Sequence, residues 1–306
     1  MKLVEDFLRY IRYELNLSAC TVSAYEQDLK QLQQFLSPDE NEFDPLSVTS
    51  GDLRAWIVDL DAHGIKARSI RRKEQAVRSF FKFLLKRGLV KSNPAAELEL
   101  AKFKKPLPSY VRIDNMNALL DGDIDETDFK LVRDRLIIMM LYETGIRRAE
   151  LIGLKDADVD VPKRELKVLG KRNKERVVPF GDELADAITA YRRLRSATTG
   201  LDRTERFFVR ENGDELYASL VYRTVHSLLA TVGGGRKLSP HVLRHTFASA
   251  MLNNGAELNS VKEILGHESL AATQVYTHIT FSELKTNYKH AHPRALKKEV
   301  HYGSED

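Results

Sequence analysis

The hydrophobic periodicity of this chain breaks between Asn93-Pro94 and Pro108, and that break separates two helical patterns. Proline lacks an amide hydrogen and fixes φ, so a run carrying Lys102, Lys104, Lys105, Pro106 and Pro108 is poor core and poor helix. It reads as a basic, stiff linker over residues 102–108, between a first domain at 1–101 and a second at 109–306. A length of 306 residues suffices for two ordinary domains with a core in each, and 42% hydrophobic residues supply the apolar surface.

Before the break, Leu3, Phe7, Leu8, Ile11 and Leu15 recur at helical spacing. Ser18 is placed to cap a second helix carrying Val22, Tyr25, Leu29, Leu32 and Leu36, which Pro38 stops. A third begins after Thr49, turns Leu53, Trp56, Ile57 and Leu60 inward, and ends before Gly64. A fourth runs from about Ala67 to Arg87 with Ile70, Val77, Phe80, Phe81 and Leu84 inward and Gly88 as its stop. Four helices with short connections predict a small bundle. After the break, helical patterns resume at Leu119-Leu120 and at Leu136, Ile137, Met140 and Leu141. Alternating runs at Leu166–Leu169 and Arg176–Pro179, on either side of residues 170–175, predict a hairpin. The expected fold is mainly α: a helical N-terminal domain, then an α-rich domain with a small β-sheet or hairpin.

A formal net charge of +4 says little about partners, but its distribution says more. Between Lys66 and Lys91 stand Lys66, Arg68, Arg71, Arg72, Lys73, Arg78, Lys82, Lys86, Arg87 and Lys91, opposed only by Glu74. Solvated helix faces ordinarily mix signs to gain i,i+4 pairing, so a run this one-sided points to a DNA backbone as its complement. The single cysteine, Cys20, excludes an intrachain disulfide and a Cys-rich metal site. The uncharged stretch around Leu136 to Tyr142 is far short of a bilayer span, and with a single cysteine the expected location is the reducing cytoplasm, with no membrane partner.

The chemistry-bearing residues cluster late in the chain. His241 and Arg244 follow Ser239-Pro240, a helix-entry signal that puts them one turn apart on one face. Gly266-His267 follows a helical run, and Tyr276 stands nine residues after that histidine. Upstream lie Arg147, in Thr144-Gly145-Ile146-Arg147-Arg148-Ala149-Glu150-Leu151, and Lys171, in Gly170-Lys171-Arg172-Asn173-Lys174-Glu175-Arg176. Each alone has an ordinary reading: a helix pair, a turn lysine, a histidine at a helix end, a core phenol. Together they supply two guanidiniums, two imidazoles, an ammonium and a phenol, the groups a phosphodiester needs if a tyrosine is to attack it without a metal.

These motifs, with Ser239-Pro240-His241-Val242-Leu243-Arg244-His245-Thr246-Phe247-Ala248, Leu265-Gly266-His267, Thr273-Gln274-Val275-Tyr276-Thr277-His278 and the tail His292-Pro293-Arg294-Ala295, resemble those of the tyrosine recombinases, the phage-integrase family, and specifically its Xer-type site-specific members. The resemblance covers nearly the whole chain. It implies a SAM-like core-DNA-binding domain, a catalytic domain of tyrosine recombinase fold, and a C-terminal exchange segment at about 281–306. It assigns Arg147 and Arg244, completed by His241 and His267, to the scissile phosphate, Lys171 to protonation of the leaving 5′ oxygen, and Tyr276 to nucleophilic attack. Contacts to DNA are expected from Lys66, Arg68, Arg71, Arg72, Lys73, Arg78, Lys102, Lys104 and Lys105. The implied activity is cutting and rejoining a double-stranded recombination site through a 3′-phosphotyrosyl intermediate, without cofactor or metal. Chromosome-dimer resolution and integration or excision of a mobile element both use it. The implied assembly is a homo- or heterotetramer on synapsed DNA, admitting a second recombinase and a DNA translocase as activator. Arg172, where glycine is common in the hairpin, and Ser249-Ala250, where Thr-His is common, depart from the pattern without touching the assigned set. A type IB topoisomerase-like relaxing enzyme and a non-catalytic DNA-binding protein are the alternatives.

Overall fold

Ser18 and Thr49 each start a helix by giving an orphan backbone N–H an oxygen. In the computed structural model, the Ser18 hydroxyl accepts from the Thr21 amide at 3.3 Å and opens α2 (Ala19–Leu36). Thr49 and Asp52 cap one another reciprocally and open α3 (Ser50–Ala62). With α1 (Lys2–Arg9) and α4 (Ala67–Lys86), they form the first of two units, Met1–Pro106. Gly64 and Gly88 take φ of +71° and +70° where α3 and α4 stop, as their positions in the sequence predict. The core of this unit is Phe7, Leu29, Leu32, Leu53, Trp56, Val77, Phe80, Phe81 and Leu84, with Phe7 edge-on to Phe80 at 5.4 Å. A π-helical turn at Tyr10–Glu14 follows α1 and keeps Ile11 in that core.

The structure describes residues 2–37, 43–98, 110–170, 174–199, 204–233, 238–266 and 281–295, without the side chains of 199 and 281–284. Lys102, Lys104, Lys105, Lys171, His267, Tyr276 and Pro38 lie outside these residues.

The second unit, Leu107–Asp306, is organised on α6 (Phe129–Thr144), whose residues from Leu136 onward are all buried. Total burial is why this stretch lacks a polar face. No helix among the described residues is long and apolar enough to cross a membrane. Asp128 caps α6 by accepting from the amides of Lys130 and Leu131 at 2.7 and 3.0 Å, and Gly145 ends it at φ +62°. Against α6 pack α8 (Asp182–Thr199), α9 (Ala218–Thr231) and α10 (Pro240–Asn253). Helices α5 (Ile113–Asp121), α7 (Arg148–Gly153), α11 (Leu258–Leu265) and α12 (Phe281–Ala291) complete the layer. The expected hairpin is β2 (Glu165–Leu169) paired antiparallel with β3 (Glu175–Pro179), Leu166 opposite Val178 and Leu169 opposite Glu175. A two-residue strand, β1 (Val159–Asp160), extends it to a three-stranded sheet. It is too short to leave an alternating pattern in the sequence.

Helix α12 lies on α10, α11 and β3 of its own unit. Beyond it, the Arg294 guanidinium is buried among three acidic side chains from three helices: Asp121 at 2.6 Å, Glu143 at 3.6 Å, and Glu183. Backbone contact seals the joint, since a Cβ on Gly181 would stand 2.7 Å from the Arg294 carbonyl oxygen. Tyr288 stacks on His292 at 5.2 Å, and both are buried. Burial pushes the His292 imidazole down to about 3 and the Glu143 carboxyl up to about 8, because neither charged form is solvated there. The described part of the expected exchange segment therefore ends in an anchor within its own unit.

Candidate active site

A helix leaves its last carbonyls without amide partners and gathers partial negative charge at that end. At the end of α11, three successive carbonyls are each met by a different arginine. Arg176 Nε donates to Ile264 O at 2.7 Å, Arg244 Nη2 to Leu265 O at 2.5 Å, and Arg147 Nη2 to Gly266 O at 3.0 Å. The arginines come from β3, α10 and the residue before α7, so a sheet strand and two helices converge on one turn. His267 is the next residue in the chain.

The backbone makes this convergence possible at Gly145. With φ at +62°, it turns the chain from α6 towards Arg147, and its carbonyl accepts from Arg244 Nη1 at 2.5 Å. A Cβ there would lie 2.5 Å from Phe247 and 2.8 Å from Leu265, closer than packed carbon atoms approach. The Thr144-Gly145-Ile146-Arg147 motif is thus a turn that only glycine fits, next to an arginine it aims.

One carboxylate serves this group. Glu150, on α7, accepts from the Arg147 amide and from Arg147 Nη1, both at 2.7 Å, and from Arg176 Nη1 and Nη2 at 2.9 and 2.8 Å. Burial alone would raise its pKa, but the Arg176 and Arg147 hydrogen bonds overcome that, so it is held below the usual range and stays ionised. Arg244 donates both amino groups to backbone carbonyls instead. Burial, and then the neighbouring charge of Arg147, push the Arg244 pKa down to about 10, still protonated at neutral pH. His241, exposed in the first turn of α10, is likewise lowered, first by partial burial and then by the charges of Arg148, His245, Arg244 and Arg147. Three guanidiniums near one carboxylate, two of them bonded to it, leave an excess of positive charge in a partly desolvated place, which suits an anion with oxygens to spread across arginine forks.

Helical geometry of about 100° per residue puts Arg68, Arg71, Arg72, Lys82 and Lys86 on one stripe of α4, with Gln75 and Ser79 between them. All five basic residues are exposed, and Lys66 precedes them at the helix start. Lys73 corrects the sequence reading of this run. It is buried, and its ammonium donates to Asp28 of α2 at 3.0 Å and to Gln31. Arg72 also pairs with Asp28 while keeping 43% of its side chain exposed. Arg78 donates to the carbonyls of Ala95 and Leu98 at 3.2 and 2.7 Å, holding the chain just before the expected linker.

Residues 4–88 match the phage integrase N-terminal SAM-like domain, and residues 110–283 match the phage integrase family itself. The chain belongs to the phage integrase family. It is a tyrosine-type site-specific recombinase. A tyrosine recombinase XerC of Chlorobaculum tepidum is 37% identical over 315 residues, covering 95% of this chain and 94% of the relative. XerC of Listeria monocytogenes serotype 4a is also 37% identical, covering 96% and 98%. In fold, the recombinase is similar to the Tn1549 transposon integrase in complex with transposon right end DNA, at a TM-score of 0.68 and 18% identity over 94% of this chain and 98% of the other. It is similar also to the XerH recombinase bound to its difH substrate, at 0.66 and 20% over 92% and 82%. The family motifs flag Arg147, His241 and Arg244, which the fold brings to one place, but they gave no role to Arg176. Its signal was present as a basic residue opening the second alternating run.

Proposed function

We propose that this recombinase cleaves and rejoins DNA at a specific site through a 3′-phosphotyrosyl intermediate. The observation that carries the reading is the meeting of Arg147, Arg244 and Arg176 on the three carbonyls before His267, with a single carboxylate among them. In this reading Arg147 and Arg244 grip the non-bridging oxygens of the scissile phosphate. His241 and His267 complete the cradle. The Tyr276 phenol gives its proton to solvent as its oxygen attacks phosphorus, the P–O5′ bond breaks, and Lys171, which lies between β2 and β3 in the sequence, protonates the departing 5′ oxygen. The DNA 3′ end stays esterified to Tyr276, so attack by a 5′ hydroxyl reverses the step at no cost in bond energy. The α4 stripe of Lys66, Arg68, Arg71 and Arg72 neutralises backbone phosphates, as do Lys102, Lys104 and Lys105 of the connector. Lys73 and Arg78 support that face from beneath.

The working assembly is a tetramer on two synapsed sites, built from this chain alone or with a second recombinase. With Arg294 anchored among Asp121, Glu143 and Glu183, exchange between subunits falls to the residues beyond Ala295. The test begins by selecting a binding site from random-sequence DNA. Two duplexes carrying that site, incubated with the recombinase and a chelator, are expected to yield reciprocal exchange products. Relaxation of a supercoiled plasmid lacking the site, without exchange, would instead favour the topoisomerase reading.

A further inference from the structure

We infer that Arg176 is a positioning residue for strand cleavage, acting through Glu150 on Arg147. The inference rests on Arg147 being a phosphate ligand, and its test separates the two claims. Arg176 commits every nitrogen of its fork: Nε to Ile264 O at 2.7 Å, Nη1 to Glu150 Oε1 at 2.9 Å and Nη2 to Glu150 Oε2 at 2.8 Å. Its stem lies against the α11 turn, where a Cβ on Gly266 would be 3.2 Å from Cδ, Nε and Nη1. One side chain thereby cross-links the strand that follows Lys171, the carboxylate beneath Arg147, and the turn that leads to His267.

The consequence for Arg147 follows from counting acceptors. Each Glu150 oxygen receives one hydrogen bond from Arg176 and one from Arg147, whose backbone amide takes Oε2 and whose Nη1 takes Oε1. Because Arg176 holds both oxygens, Arg147 is left one of them for its fork, and its Nη2 turns to Gly266 O. Of the five N–H donors of a guanidinium, about three then remain among the described contacts for a ligand. Without Arg176, a buried carboxylate that has lost its bidentate partner would close on Arg147 with both oxygens and draw the fork away from Gly266. A lysine at 176 cannot substitute, since one ammonium cannot meet two carboxylate oxygens and Ile264 O in a fixed plane.

The experiment uses the full chain and single-turnover adduct formation on nicked duplexes carrying the selected site. One set has the ordinary 5′ oxygen at the scissile phosphate, and a matched set has sulfur. A thiolate leaves without a proton donor, so sulfur rescues loss of the general acid and does not rescue a misplaced phosphate ligand. We expect Arg176→Lys to keep site binding within about threefold and to slow adduct formation by roughly tenfold or more, equally on both substrates. Lys171→Ala is slow on oxygen and rescued by sulfur. The Glu150→Gln/Arg176→Gln pair cleaves no more slowly than the worse single variant, because the two act as one unit. Wild-type cleavage by Arg176→Lys overturns the inference. So does rescue of that variant by sulfur, which would assign Arg176 to the hairpin lysine. Should Arg176→Gln fail to fold, Arg176→Lys, which keeps the charge, decides alone. Normal cleavage by Arg147→Lys would count against the role of Arg147, whereas an inactive Arg147→Lys beside a fully active Arg176→Lys counts against Arg176 only.

Discussion

Replacing Gly145 by alanine tests the turn on which the site depends. Two costs add. An L-residue held at φ +62° costs about 1–2 kcal/mol. The new Cβ, 2.5 Å from Phe247 Cδ1 and 2.8 Å from Leu265 Cδ2, also overpacks a core of buried side chains. Overpacking of that kind costs about 1–3 kcal/mol. Gly255→Ala is the internal control: its φ is +84°, but nothing lies within 4 Å of the added Cβ, so only the backbone cost applies. In urea or thermal melts of the full chain, Gly145→Ala should be less stable than Gly255→Ala by about 1–3 kcal/mol. For a unit of this size, each kcal/mol is about 2–4 °C of melting temperature. Cleavage should fall as well, because the Gly145 carbonyl that would shift is the acceptor for Arg244 Nη1. If the two variants melt together, the contacts with Phe247 and Leu265 do not confine this turn and the reasoning fails.

Arg147→Lys and Arg244→Lys should each lower single-turnover cleavage by about 100- to 1000-fold with a modest loss of binding, because charge survives while the fork does not; near-normal cleavage by either would remove it from the phosphate. Arg68→Glu with Lys82→Glu should reduce the log–log salt slope of DNA binding by about 2, while Lys73→Gln should leave the slope alone and lower stability; a slope change in the lysine variant would contradict its burial. Glu143, raised to about 8 in the folded state from an ordinary 4.5, binds its proton more tightly folded than unfolded, so its contribution is present below 4.5 and lost as pH rises through 8. His292, lowered to about 3, has the opposite sign, its contribution being present above about 6.5 and lost as pH falls. The two slopes oppose between 4.5 and 6.5, and of the two only Glu143 acts from about 6.5 to 8, where stability should fall with rising pH by at most about 1.4 kcal/mol per unit, read as a falling melting temperature. Glu143→Gln should flatten that drop.

Local chemistry was legible in the sequence and distant pairing was not. Ser18, Thr49, Gly64 and Gly88 mark helix ends because capping and left-handed turns are settled within a few residues. The β2–β3 hairpin is legible for the same reason, with its two runs alternating on either side of a short turn. Lys73 is indistinguishable in sequence from the exposed cations beside it, because its partner, Asp28, sits on another helix and only the packing of α2 on α4 reveals the pair. Arg294 finds acids at positions 121, 143 and 183, which no spacing rule connects. The site divides in the same way. The family motifs flag Arg147, His241 and Arg244, and the Glu150 bond to Arg147 is local, but the bonds from Arg147 and Arg244 to the end of α11 and from Arg176 to Glu150 join segments far apart in the chain.

The central claim is that Tyr276 becomes the covalent link to DNA. The most direct measurement traps the recombinase on a nicked duplex carrying the selected site, digests the denatured complex with protease, and identifies the peptide that retains DNA. The account predicts a single peptide containing Tyr276, joined to the 3′ phosphate, formed in the presence of a chelator and absent from Tyr276→Phe. A link through another residue, a 5′-phosphate attachment, or a denaturant-resistant adduct in Tyr276→Phe would contradict it.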